Sequence, residues 1–120
     1  MPEKVNLDEK FGLFSAPWTP KVIGAVDDYE IKIVRIDGEF VWHAHADVDE
    51  LFVVLDGEMT VQFRDGDVSL GSGELLVVPK GVEHRPIAAS ECKAMIFEKK
   101  GTVNTGDTES DLTVAAPERL

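Results

Sequence analysis

Three histidines and one glutamate in this sequence have the residue types and the spacing of metal ligands. His43 and His45 flank a single alanine, Glu50 follows shortly after them, and His84 is the third and last histidine of the chain. Alternate side chains of a strand point to the same face, so His43 and His45 would present both rings to one side. Neutral imidazoles and a carboxylate are ligands that borderline divalent metals accept. The sequence therefore predicts one divalent metal ion bound by these four residues.

The identity of the metal decides whether such a site is open or closed. An octahedral ion such as Fe, Mn or Ni would keep open positions for water or substrate, which would allow catalysis. A Zn ion can be satisfied by four ligands, and such a site can be closed. The residues leave Fe, Mn, Ni and Zn all open.

Short β-strands are the elements that must position these ligands. Three Asp-Gly pairs, at Asp37-Gly38, Asp56-Gly57 and Asp65-Gly66, are flanked by β-branched or aromatic runs. Asp-Gly in that setting is a strong hairpin signal. The predicted strands cover residues 21–26, 29–36, 39–45, 51–55, 59–64, 68–70, 75–78 and about 93–99. No window has an amphipathic helical period of useful length. The pattern predicts an all-β fold that forms a closed barrel or a sandwich.

Strand alternation also predicts the surroundings of the ligand carboxylate. Phe52 and Val54 share a face with Glu50, so the metal would lie above an apolar wall. The alternate side chains of the same strand face the other way and would expose apolar surface; they are Leu51, Val53 and Leu55. A second copy of the chain could bury that surface, and closed two-fold dimers are the commonest oligomers, so we predict a homodimer.

Two stretches of the sequence resemble the two sequence motifs of the cupin family. In residues 38–57, His-x-His is followed by four residues, Glu, six residues and Gly; residues 73–84 read Gly, five residues, Pro-x-Gly, two residues and His. All four predicted ligands fall on the ligand positions of the family. There are two departures from the pattern. Four residues, rather than five, separate Gly38 from His43, and Ala88 replaces the Asn that ends the second motif. Neither departure removes a ligand.

The resemblance implies the fold and the metal site, and it leaves the reaction open. It implies a cupin-type double-stranded β-helix, or jelly-roll β-barrel, formed by one domain over residues 1–120. An irregular N-terminal arm of about residues 1–20 and a C-terminal tail of about residues 101–120 would flank the barrel. The family includes dioxygenases, isomerases, lyases and proteins that only bind a ligand. Cupins commonly pair, so the resemblance also implies a homodimer.

Composition excludes several classes of partner. The chain has 12 Lys and Arg against 23 Asp and Glu, which gives a net charge of −11. Such a surface repels phosphate backbones and anionic lipid, so we expect no nucleic-acid and no membrane partner. No apolar run is long enough to span a bilayer and the start lacks a signal-peptide pattern, so a cytoplasmic protein is expected. The single Cys92 suits a reducing compartment and is expected to be a small buried hydrophobic residue.

The first functional hypothesis is a metal-dependent enzyme of the dioxygenase, isomerase or lyase type that acts on a small polar organic molecule. The alternative is a non-catalytic, metal-dependent module that binds or senses a small molecule, and a purely structural metal site is the weakest reading. Arg64 and Arg85 are candidate contacts for an acidic substrate, and Phe52 is a candidate contact in the apolar wall. Glu83 is the one side chain that the sequence offers as a spare base.

Overall fold

The computed structural model describes residues 1–120, and its regular secondary structure is almost entirely antiparallel β-strand. Its elements are a short helix and seven strands: α1 (Leu7–Phe11), β1 (Lys21–Val26), β2 (Tyr29–Glu39), β3 (Glu50–Asp56), β4 (Glu58–Phe63), β5 (Gly66–Gly71), β6 (Leu75–Val78) and β7 (His84–Lys99). The predicted all-β class is confirmed. No helix has the length and the apolar character that crossing a membrane requires.

The long strand β7 joins the two layers of the fold. The main strand order is β1-β2-β7-β3-β6, and β4 pairs with both β5 and β7. The first residues of β7, from His84 to Ile87, pair with β4, whereas Ala94 to Phe97 lie between β2 and β3. One strand therefore takes part in both layers, and the sheet curls over itself into the predicted jelly roll.

The three Asp-Gly pairs have different roles, and only one of them makes a hairpin. Asp65-Gly66 lies at the β4–β5 hairpin, where Phe63 pairs with Gly66. The prediction is wrong for Asp37-Gly38, because β2 runs through it and its register shifts between Ile36 and Gly38. It is also wrong for Asp56-Gly57, because β3 and β4 are not hydrogen-bonded neighbours. Gly38 has a φ of 80°, a conformation that a bulge can use as readily as a hairpin turn.

The predicted strand over residues 39–45 is also wrong. The strand β2 ends at Glu39, and of the ligand segment only His43 forms an isolated bridge, with His84. At Ala44, which lies between the two histidines, the C-terminal tail supplies the hydrogen bonds in place of a neighbouring strand. The amide of Ala44 donates to Asp107 Oδ1 at 2.9 Å, and the amide of Asp107 donates to the Ala44 carbonyl oxygen at 3.1 Å. The two histidines are therefore held by contacts that lie far away in sequence.

The hydrophobic core lies between the two layers and beneath the ligands. Its largest cluster contains 14 buried residues, among them Phe52 and Val54 of β3. Burial alternates along β3 so that Glu50, Phe52 and Val54 face inward, as predicted from strand parity. Fully burying a side chain such as Phe52 stabilises the fold by about 1.5–3 kcal/mol. The apolar core thus fixes the strand that carries the ligand carboxylate.

The two terminal segments are ordered against the barrel. In the N-terminal arm, the side chain of Asn6 caps α1, and the indole nitrogen of Trp18 donates to the Asp37 carbonyl oxygen at 2.9 Å. The Trp18 ring stacks on Phe40 with a centroid separation of 4.7 Å. In the tail, Asn104 donates to the Leu112 carbonyl oxygen and accepts from the Val114 amide. The arm and the tail therefore close two sides of the region around the histidines.

Candidate metal centre

The four predicted ligands come together inside the barrel. Glu50 is the first residue of β3, His84 is the first residue of β7, and His43 and His45 come from the segment between β2 and β3. All four side chains are buried, and their ligand atoms lie within 4.8 Å of one another. Spacing and strand parity alone do not define the geometry of this cluster; the fold brings the residues together from three separate segments.

Backbone carbonyls hold two of the imidazole rings in an orientation that suits metal binding. His43 Nδ1 lies 2.9 Å from the Val41 carbonyl oxygen, and His84 Nδ1 lies 3.0 Å from the Val82 carbonyl oxygen. A carbonyl only accepts, so Nδ1 carries the proton in both rings. In a neutral ring the lone pair then belongs to Nε2, which is free to bind a cation.

The distances between donor atoms fit a single bound metal ion. His84 Nε2 lies 3.2 Å from Glu50 Oε1, and His45 Nε2 lies 3.4 Å from Glu50 Oε2. Ligand atoms about 2.1 Å from a shared ion in tetrahedral or octahedral geometry are roughly 3.0–3.4 Å apart. His45 Nε2 is buried and has no hydrogen-bond partner, since its contact with Glu50 lacks hydrogen-bond geometry. A metal ion would satisfy this buried nitrogen, so the residues present fit a divalent metal.

The electrostatics of the cluster also favour a cation. Burial lowers the pKa of His43 to about 4, and the neighbouring His84 ring lowers it in the same direction. His43 is therefore neutral near pH 7, as a metal ligand must be. Burial alone would raise the pKa of Glu50, but contacts with His45 and His84 hold it well below its usual range. The cluster thus offers the Glu50 carboxylate together with the neutral imidazole of His43.

A narrow cavity of about 30 Å³ adjoins the cluster. His43, Glu50 and Phe52 line it on the metal side. The remaining polar residues of the lining are Glu98 and Asn104. The rest of the lining is apolar and consists of Trp18, Pro20, Val34, Ile36, Phe40, Pro86 and Ile96. A cavity needs roughly 10–15 Å³ to hold one water, so this one has room for about two. The candidate metal centre therefore has an apolar access space beside it.

Comparison with known proteins agrees with the fold and the cluster. The model of the Cupin domain matches residues 32–98, which include all four predicted ligands. This chain belongs to the cupin family. The family resemblance that the two sequence motifs suggested is therefore confirmed.

A solved structure of similar size is among the relatives of this cupin. The crystal structure of a cupin-2 domain-containing protein from Shewanella frigidimarina is 50% identical, has a TM-score of 0.79, and is matched over 80% of this chain and 94% of that chain. The uncharacterized protein YdbB of Bacillus subtilis is 41% identical over 64 residues, which are 52% of this chain and 57% of that protein. An acireductone dioxygenase of Yarrowia lipolytica is 36% identical over 72 residues, which are 56% of this cupin and 39% of that enzyme. The chain thus spans about half the length of these last two relatives.

Of the three predicted substrate contacts, the structure places only Phe52 at the cavity. Arg85 lies between two inward-facing residues of β7, so strand alternation turns it outward. Its Nε donates to Gln62 Oε1 at 2.8 Å. Arg64 stacks over the Trp42 ring at 3.8 Å from its centroid and pairs with Glu83. The two arginines therefore lie outside the cavity, and a contact of either one with a substrate stays a prediction.

Glu83, the spare base that the sequence offered, also lies outside the cavity. Its side chain is 48% exposed and pairs with Arg64 on the outer surface of the barrel. Cys92, in contrast, is fully buried and free, as expected for a small hydrophobic residue. Burial and the nearby Asp56 raise the pKa of the Cys92 thiol to about 11, so it stays protonated and unreactive.

Sequence reasoning missed a buried ion pair at the cavity of this cupin. Lys32 Nζ of β2 lies 2.9 Å from Glu98 Oε1 of β7, and both side chains are 2% exposed. Burial and the Glu50 carboxylate raise the pKa of Glu98 well above its usual range, whereas Lys32 opposes that rise. Buried charges are rarely kept without a role or a partner. The sequence signal for this pair is a Lys and a Glu within otherwise apolar strands. Strands with one face exposed to solvent show the same pattern, so the signal does not identify a buried pair.

Proposed function

We propose that this cupin is a divalent-metal-dependent enzyme of the dioxygenase, isomerase or lyase type that acts on a small polar organic molecule. The observation that carries this proposal is the buried cluster of His43, His45, Glu50 and His84 beside a cavity. A purely structural site has no need of an adjoining cavity. The acireductone dioxygenase relative supports oxygenation as the first reaction to test.

The chain's own residues would bind the metal, orient it and exclude water. When bound, the metal would supply a Lewis acid for a substrate oxygen, or a centre for O₂ chemistry if it is iron. The carbonyls of Val41 and Val82 orient the His43 and His84 rings. The apolar lining that includes Phe52 lowers the local dielectric constant, which strengthens every charge interaction at the site.

The small cavity favours a second candidate, a metal-dependent binding or sensing module without turnover. A space of about 30 Å³ holds about two water molecules, so any larger substrate must displace a wall. A module that binds a very small ligand would need no such movement. Turnover with any substrate would rule out this alternative.

Elemental analysis of protein purified without added metal is the decisive first experiment. We expect about one equivalent of Fe, Mn, Ni or Zn per chain, because four buried donors converge on one point. Oxygen uptake and ultraviolet absorbance would then be followed over a panel of keto acids, diketones and uronates. Fe would favour dioxygenase chemistry, and Zn or Mn would favour isomerase or lyase chemistry. Full activity of metal-free protein would contradict the proposal.

We also propose that two copies of this cupin associate through the outer face of β3 and β6. Leu51 pairs with Val77, and Val53 pairs with Leu75, so the four aliphatic side chains share one face. Leu75 and Val77 are 60% and 50% exposed, and β6 is an edge strand. Burying this patch would remove apolar surface from water.

Sedimentation equilibrium at micromolar concentration would measure this association. We expect a mass of two chains for the wild type, and a single-chain mass for Leu75→Glu/Val77→Lys, because burying the two new charges in the interface would remove their solvation. Val26→Lys, at an exposed position on β1, is the matched control and should remain dimeric. A single-chain mass for the wild type would refute the proposal.

A further inference from the structure

The Glu98 carboxyl group has one oxygen that accepts no hydrogen bond from a protein donor. Its Oε1 accepts a hydrogen bond from Lys32 Nζ at 2.9 Å, and the same Nζ lies 3.4 Å from the Thr102 carbonyl oxygen. Its Oε2 is buried and accepts no hydrogen bond. The carboxylate of the metal ligand Glu50 also lies against the Glu98 carboxyl group, and an ionised carboxylate accepts but does not donate. Leaving a buried polar atom unsatisfied costs about 1–3 kcal/mol, and more for a charged group. Such an oxygen in a native fold calls for a hydrogen-bond donor, and the neighbouring side chains provide none.

The unsatisfied oxygen belongs to a residue that lines the cavity beside the metal ligands. The other polar side chains of the lining are already engaged. His43 and Glu50 belong to the metal cluster. Asn104 uses its amide nitrogen on the Leu112 carbonyl oxygen and its amide oxygen on the Val114 amide. Outside the metal cluster, Glu98 is therefore the side chain with hydrogen-bonding capacity left for a ligand in this cavity.

We propose that Glu98 Oε2 binds a hydroxyl group of the substrate, and that the substrate is a small hydroxy acid or hydroxy ketone whose carboxylate or carbonyl oxygen lies at the metal. This inference rests on the proposed metal-dependent function. A hydroxyl group both donates and accepts, so it can satisfy Oε2 whether the Glu98 carboxyl group is ionised or protonated. The apolar lining that includes Phe52 and Ile96 offers no other site for that hydroxyl.

Lys32 acts as a positioning residue in this arrangement. By occupying Oε1 from the β2 side, it leaves only Oε2 free. The pair is joined across neighbouring strands, since β2 and β7 are hydrogen-bonded through most of their length. A rigidly held acceptor discriminates strongly, because an analogue without the hydroxyl group leaves the buried oxygen unpaired. The selectivity of the site should therefore depend on the substrate hydroxyl.

A titration of cobalt-loaded protein with glycolate and with acetate tests this inference without an activity assay. The two probes differ by one hydroxyl group, and both are among the smallest carboxylates, so they require the least movement of the cavity lining. The visible spectrum of bound Co²⁺ reports the binding of either probe. We expect glycolate to bind at least about fivefold more tightly, because acetate leaves the buried Glu98 Oε2 without a partner.

The double variant Lys32→Met/Glu98→Leu should lose this preference and keep its cobalt. Replacing both members of a buried pair by apolar residues of similar size is often tolerated, whereas removing one leaves the other charge unpaired. Glu91→Gln is the matched control, because Glu91 also lies on β7 and pairs with a cation, Arg35, but at 45% exposure. The control should keep the wild-type preference. An unchanged preference in the double variant would overturn the inference.

A crystal structure of the cobalt-loaded wild type with glycolate provides a second test, which applies even if the double variant does not fold. The glycolate hydroxyl oxygen should lie about 2.5–3.0 Å from Glu98 Oε2. A hydroxyl directed elsewhere would overturn the inference. Failure of the wild type to bind cobalt at all would instead refute the proposed metal-dependent function, so the two failures are distinguishable.

Discussion

Replacing His43 and His45 together with alanine should abolish metal binding, and chelating the metal from the wild type should lower its melting temperature strongly. A metal at about 1,000 times its Kd stabilises the folded state by about 4 kcal/mol. In a domain of this size that corresponds to roughly 10–20 °C in melting temperature. Elemental analysis and thermal unfolding with and without a chelator would measure both effects.

All three histidines of the chain belong to the cluster, so no other histidine can serve as a control. The matched pair of variants is therefore made at two glutamates. Glu50→Gln should lose most of the bound metal, since an amide oxygen is a weaker ligand than a carboxylate. Glu83→Gln changes a surface residue next to His84 and should leave metal content and melting temperature unchanged. An unchanged metal stoichiometry in the double histidine variant would show that the metal binds elsewhere.

Acid should weaken the same site. The pKa of His43 is about 4 in the fold, mainly because the ring is buried, whereas its ordinary value is 6.5. The unfolded chain therefore takes up this proton at higher pH than the folded chain does. The neutral His43 ring therefore contributes to the free energy of unfolding, and this contribution is complete above pH 6.5. It is lost as the pH falls toward 4, and the loss reaches up to roughly 3 kcal/mol. Protons also compete with the metal for imidazole nitrogen, which acts in the same direction.

The ligand set was predictable from the sequence because it depends on local spacing. His43, His45 and Glu50 lie within eight positions of one another, and Phe52 follows Glu50 with the parity of an extended strand. The fold class followed from short β-type runs between turn signals. The Asp-Gly pairs were less informative, since a left-handed glycine serves a bulge at Gly38 as well as a hairpin.

The cavity was not predictable, because its walls come from residues that lie far apart in sequence. Lys32 meets Glu98 across 66 positions. Strand β2 is buried on both faces, with Ile33 and Val34 both in the interior, so alternation could not tell which face Lys32 occupies. The charges of Arg64 and Arg85 made them candidate substrate contacts. Strand parity and stacking on the Trp42 ring place both side chains outside the cavity.

The role of the C-terminal tail was equally unpredictable from the sequence. A substitution in this tail is expected to have a large effect on stability and metal binding. Gly106 packs against the ligand segment with a φ of 55°. A Cβ atom there would overlap the Ala44 carbonyl oxygen, and it would lie 2.9 Å from the Ala44 carbonyl carbon and 3.2 Å from His45 Nδ1. The adjacent Asp107 makes the two hydrogen bonds to Ala44 that replace a strand neighbour. Only a glycine fits at this point of contact between the tail and the ligand segment.

Gly106→Ala should therefore detach the tail from the ligand segment and weaken metal binding. We expect the free energy of unfolding to fall by roughly 2–4 kcal/mol, from backbone strain, steric overlap and lost hydrogen bonds. Gly101→Ala is the matched control, because Gly101 also has a positive φ, of 89°, but no atom lies within 4 Å of its added Cβ. That variant should lose only about 1–2 kcal/mol. Denaturant unfolding, metal titration and hydrogen exchange of residues 102–114 would measure the difference. Equal stability and equal metal affinity in the two variants would mean that the tail does not support His45, and that the barrel alone positions the metal ligands.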